Sequence, residues 1–180
     1  MVRQTRLWLA GILLAAAVST TAGAFDETAD TWIRGVFTGN SPRAIAVNEA
    51  DAWREAIDCV SRNPGSFLLV GTGRSMQPLY GAGTILVLRT ANYADLQRGQ
   101  TVVYRNQERR SVGHVLVAKA RDGWRVRGLN NRTHDMEPVV PQNLLGVVVA
   151  AFTPTRNGEL QIASARRPAG RAVFLDDRDR

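Results

Sequence analysis

A serine in a turn punctuated by glycine and proline, two histidines and an aspartate are the residues of this chain with chemistry to offer. Ser75 lies in Gly71–Leu79, GTGRSMQPL, between two apolar runs, Phe67–Val70 and Ile85–Arg89, that read as strands. The Gly71, Gly73 and Pro78 positions predict a tight connection that exposes the Ser75 hydroxyl at a sheet edge. A serine hydroxyl is a weak nucleophile until a neighbour accepts its proton, so Ser75 requires a base. The basic candidates are His114, His134 and Lys119. His114 falls in SVGHVLVAKA, Ser111–Ala120, where strand alternation puts Val112, His114, Leu116 and Ala118 on one face and Val115, Val117 and Lys119 on the other. His114 and Lys119 then cannot serve one site. An imidazole exchanges protons near neutral pH without adjustment, whereas a lysine amine must first be strongly desolvated, so His114 is the base this pattern selects. His134 stands in a polar loop beside Asp135 and is expected at the surface.

Metal chemistry is not expected. His114, His134 and Asp135 have suitable types but lack the helical spacing of zinc enzymes. Cys59 is the only cysteine, which excludes an internal disulfide and a thiolate cluster and leaves it the role of a small buried apolar residue. No cofactor is implied.

The elements that must position these residues are legible from periodicity. Asn48 is placed as a helix N-cap, with Glu49 and Asp51 in the first turn and Trp53, Ile57 and Val60 on one face; Asn63-Pro64-Gly65 ends the helix. From Ser66 the pattern turns to short apolar runs: Phe67–Val70, Ile85–Arg89, Thr101–Tyr104, Val112–Ala118, Trp124–Arg127 and Leu144–Ala151. Such spacing predicts a mainly β domain whose antiparallel sheets form a partly open barrel, with one N-terminal helix. Arg98-Gly99-Gln100 and Asp122-Gly123 both suit hairpin turns.

With these residues in place, a resemblance emerges. SMQP (Ser75–Pro78), RGQTVVY (Arg98–Tyr104), GHV (Gly113–Val115) and RGLNNRTHD (Arg127–Asp135) follow in order the pattern of the signal peptidase family of serine proteases, over Gly71 to about Ala151. The resemblance implies that Ser75 is the nucleophile, that His114 occupies the base position as in the serine/histidine variant, and that Asp135 orients the imidazole. Met76 is expected to pack beneath the substrate. Two positions depart from the family pattern. Leu129 stands where members carry the aspartate of Gly-Asp-Asn, and Gly73 stands where bacterial members carry a small hydroxyl residue, leaving the Ser75 backbone N–H as the main oxyanion donor.

Composition and charge set the context. The chain has 180 residues, 44% apolar and 22% charged, enough for one folded domain with a core. Residues 1–24 combine Arg3 and Arg6, an apolar run Leu7–Val18 and the small end Ala22-Gly23-Ala24, the grammar of a secretory signal cut before Phe25. The apolar run is short against the roughly 20 residues of a spanning helix, which favours a cleaved signal over a short membrane segment. An exported, extracytoplasmic chain follows, periplasmic or on the outer face of the cytoplasmic membrane. The net charge of +7 rests on 23 Lys and Arg, all but Lys119 arginine, scattered rather than striped; nucleic acid is not an expected partner, a solubilising surface is the first reading of that charge, and contact with a membrane surface is the alternative.

The chain is expected to divide into residues 1–24, a lead and helix at 25–65, a catalytic β domain at 66–152 and a C-terminal tail at 153–180 whose end, Arg166–Arg180, is dense in charge. The expected function is cleavage of peptide or preprotein substrates. A catalytically silent module that binds peptides or membrane-associated partners is the alternative.

Overall fold

A computed structural model describes residues 31–156 and the backbone of two further short strands, Glu159–Leu160 and Ala172–Leu175. The expected signal at residues 1–24, the start of the lead at 25–30 and the remainder of the tail lie outside the described residues.

The helix forms where its caps predict. The Asn48 side chain accepts a hydrogen bond from the Asp51 N–H at 2.9 Å, and α1 runs Glu49–Arg62 with Asn63 as its C-cap. Its inward face differs from the expected one. Ala52 and Ala56 are the fully buried positions, Trp53, Cys59 and Val60 flank them, and Ile57 is 45% exposed. Two alanines let the helix axis approach the sheet closely, so packing follows the small residues and the bulky ones splay to the sides.

All six expected strands are present, and the chain is mainly β. They are β4 (Ser66–Gly71), β5 (Ile85–Arg89), β6 (Thr101–Arg105), β7 (Ser111–Ala120), β8 (Gly123–Arg127) and β9 (Leu144–Arg156). Three more lie ahead of them: β1 (Trp32–Ile33), β2 (Val36–Phe37) and β3 (Ala44–Asn48). The lead therefore carries strands of its own from Trp32 onward. Tail residues also pair: β9 extends to Arg156, β10 (Glu159–Leu160) folds back on it, and β11 (Ala172–Leu175) joins β4.

The main sheet has the order β11-β4-β5-β9-β6-β7-β8, mostly antiparallel, while β3 on β9 and β11 on β4 run parallel. Asp122-Gly123 makes the β7–β8 hairpin as expected, with Gly123 at φ +139°. Arg98-Gly99-Gln100 does not make one. β9 inserts between β5 and β6, with Val147 opposite Arg89 on one side and Val102 on the other, so the two flanking strands never meet.

One core cluster anchors the loops that carry the candidate site residues. It joins Met76, Leu79 and Tyr80 from the Ser75 turn to Leu129, Val115 and Leu69. Met76 and Leu129 follow Ser75 and Gly128 directly, so burial of two neighbours pins both turns against one layer. Full burial of a side chain the size of Leu129 stabilises by about 1.5–3 kcal/mol. An aspartate at this position would place a carboxylate among apolar side chains, at a desolvation cost.

Candidate active site

The Ser75 turn leaves β4 at Gly71 and closes on itself. The Gln77 N–H donates to Arg74 O at 3.1 Å, and the Leu79 and Tyr80 N–H groups donate to Met76 O at 2.9 and 3.0 Å. Tyr80, 4% exposed, donates its phenol to Pro42 O and ties the turn to the lead. Ser75 itself is half-buried. Its carbonyl accepts the Asn130 N–H at 2.7 Å, which sets the turn Gly128–Asn131 beside it.

His114 lies in the middle of β7, opposite Val102 of β6, and is 2% exposed. Its Nδ1 meets Asp135 Oδ2 at 2.5 Å. Asp135 is brought there by its own backbone: its N–H donates to Val126 O at 3.0 Å, folding the loop after β8 back toward β7. The expected pairing of His114 with Asp135 is present. With Nδ1 engaged by the carboxylate, Nε2 is the nitrogen left for proton transfer. That nitrogen faces Gly128, where an added Cβ would stand 2.8 Å from it.

The imidazole is therefore clamped between a carboxylate and a bare backbone. The same turn touches His114 Nε2 through Gly128 and Ser75 through Asn130. Ser75 and His114 thus both adjoin the four-residue turn Gly128–Asn131. Among the described residues, the Ser75 hydroxyl and amide have no hydrogen-bond partner, His114 included. His134 is exposed, as expected for its polar loop. Lys119 holds its ammonium 5.9 Å from the Tyr93 ring centroid, and a register shift between Leu116 and Ala118 breaks the strict alternation of β7. Among the described residues no group of His, Cys, Asp and Glu is placed to hold a metal ion.

Two contributors escaped sequence reasoning. The Tyr104 phenol donates to Asp135 Oδ2 at 2.5 Å, the same oxygen that meets His114. Tyr104 follows two residues after Val102, the partner of His114, and so is a diagonal neighbour on the same face; the register of β6 and β7 was the signal that could have found it. The second is Arg34. It and Gly35 take positive φ, +48° and +78°, at the β1–β2 turn, and the Arg34 guanidinium reaches Asn130 Oδ1. The lead thereby braces the turn that carries Gly128.

A cleft of about 710 Å³ opens on the carboxylate side of the pair, lined by Tyr104, Asn106, Asn131, His134, Asp135 and Glu137 among others. Asp135, 15% exposed, meets solvent from here. No helix among the described residues is long and apolar enough to cross a membrane.

No family model, curated protein or solved structure matches this chain. The likeness to signal peptidases rests on the residues quoted above.

Proposed function

We propose that this chain is an exported serine endopeptidase of the signal-peptidase type, built on a partly open barrel, that cleaves peptide or preprotein substrates through Ser75, His114 and Asp135. The observation that carries the reading is the clamped imidazole: Nδ1 on Asp135 at 2.5 Å, and Nε2 turned to the Gly128–Asn131 turn that also binds the Ser75 carbonyl. The barrel is supported by the approach of β11, one end of the sheet path, to β7 near the other end.

In this mechanism the Ser75 Oγ attacks the scissile carbonyl carbon while His114 Nε2 takes the hydroxyl proton. The carbonyl π pair moves onto oxygen, and the Ser75 N–H stabilises that oxyanion. Collapse expels the amine, which takes the proton from Nε2, and leaves an acyl ester on Ser75. Water, deprotonated by the same nitrogen, then hydrolyses the ester. Asp135 keeps the proton of neutral His114 on Nδ1 and stabilises the imidazolium. Proton transfer needs Oγ within about 3 Å of Nε2, so closure of the Ser75 turn onto the imidazole when substrate binds belongs to the reading.

Substrate lies extended along a strand edge, adding main-chain hydrogen bonds to the sheet. The resemblance points to small residues just before the cut, as in exported preproteins. Ser75→Ala and His114→Ala should each abolish cleavage of such a peptide with the fold intact, and unchanged turnover in either removes the mechanism. The absence of a Ser75–His114 hydrogen bond among the described residues favours the second reading, a silent peptide-binding or partner-binding module. A serine-directed covalent probe separates the two: adduct mass on Ser75 supports the protease, and an unlabelled, folded chain supports the module.

A further inference from the structure

The outer edge of β4 is covered by this chain's own residues. Among the described strands, β4 has β5 on one side and β11 on the other. The β11 pairing is parallel, with Ala172 opposite Leu68 and Leu175 opposite Gly71. Beyond Gly71 the chain enters the Ser75 turn, so β11 directs its carboxyl end toward that turn. β11 also lies near β7, the strand that carries His114. A short apolar segment, AVFL, set between Arg166, Arg167 and Arg171 on one side and Asp176 and Asp177 on the other, therefore fills an edge bounded by the two strands that deliver the candidate nucleophile and base.

Backbone ladders are made by N–H and C=O groups that every extended peptide possesses, so an edge that accepts one such segment accepts another. A segment of the same chain also has a far higher local concentration than a dilute peptide. We propose that Ala172–Leu175 occupies the β4 edge on which an extended peptide must lie to reach Ser75, and that it has to leave before such a peptide binds. The identity of the competitor as a substrate rests on the proteolytic reading; the occupancy does not.

Proline substitutions in the full chain test it. Consecutive residues of a strand aim their N–H and C=O groups to alternate sides, and among the described strands β11 pairs with β4 alone, so of Val173→Pro and Phe174→Pro only one removes a ladder donor. That variant should lower the apparent KM for an extended peptide by up to about ten-fold if β11 is docked nine-tenths of the time, because apparent affinity scales with the open fraction. Its kcat should stay at the native value, and the other proline should act more weakly. Gly71 donates its N–H to Thr84 O on the β5 side, so the alternate amides of Leu68 and Val70 face β11 and should exchange faster with solvent in the damaging variant. A synthetic peptide spanning Arg171–Asp177 should bind that variant, carried in a Ser75→Ala background, more tightly than it binds Ser75→Ala alone.

Equal amide exchange and equal peptide affinity in native and both proline chains would overturn the occupancy. Absence of turnover in every chain would remove the protease reading alone, since the exchange and binding arms need no catalysis.

Discussion

Replacing Gly128 with alanine tests the clamp on the imidazole more sharply than deleting the Ser75 or His114 side chain. The new Cβ would lie 2.8 Å from His114 Nε2, 2.9 Å from Asn131 Nδ2 and 3.0 Å from Asn131 Cγ. An unstrained carbon–nitrogen contact needs about half an ångström more. The ring has nowhere to retreat, because its opposite nitrogen already meets Asp135 at 2.5 Å and the side chain is 2% exposed. Either the imidazole turns off the carboxylate, or the Gly128–Asn131 turn moves and takes the Ser75 carbonyl with it. Both displace Ser75 and His114 relative to each other, and under the proposed mechanism a misplacement on the order of 1 Å costs about 100-fold in rate. We expect kcat/KM for a preprotein-like peptide to fall about 10- to 100-fold, with an overpacking cost of about 1–3 kcal/mol in chemical denaturation. Gly81→Ala is the control, since its Cβ would meet nothing closer than Gln77 Nε2 at 3.8 Å. Native kcat/KM together with native stability for Gly128→Ala would refute the clamp.

Tyr104→Phe removes one of two donors from Asp135 Oδ2 while keeping the ring in its cluster. Turnover should fall with KM unchanged, and stability by about 1–2 kcal/mol; a KM rise alone would assign Tyr104 to substrate binding instead. Tyr80 supplies a pH prediction. Burial raises its phenol well above the ordinary 10.0, partly offset by a hydrogen bond with Thr101. The unfolded chain then releases this proton first, so stability should decline as pH rises past about 10. In Tyr80→Phe that decline should be shallower in urea titrations at pH 9 to 11, and an unaltered slope would exclude Tyr80 as its source.

Local order was readable because it is written locally. The Asn48 cap, the Asn63-Pro64-Gly65 stop and the six apolar runs each act over a few residues, and the structure has them. Which face of α1 turns inward was not, because two alanines carry no hydrophobic stripe yet permit the closest approach. Non-local pairings were invisible for a different reason. The parallel contacts of β3 with β9 and β11 with β4 join segments far apart in sequence, and nothing in AIAVN or AVFL names a partner. At the site, the pairing of His114 with Asp135 was legible through motif order. The role of Gly128 was not, since a glycine that admits an imidazole looks the same in sequence as one that makes a turn.

The position of β9 ties maturation of this chain to the order of its synthesis. Residues 144–156 emerge after both flanking strands, yet they are the seam on which Ile85–Arg89 and Thr101–Arg105 are joined. Until that seam is laid, the half bearing Ser75 and the half bearing His114 have no shared backbone scaffold, and each waits with an open edge. Such late, long-range closure makes folding slow and leaves nascent edges exposed to wrong pairing. During synthesis, therefore, the Ser75 and His114 segments stay apart until residues 144–156 are free to close the seam between them.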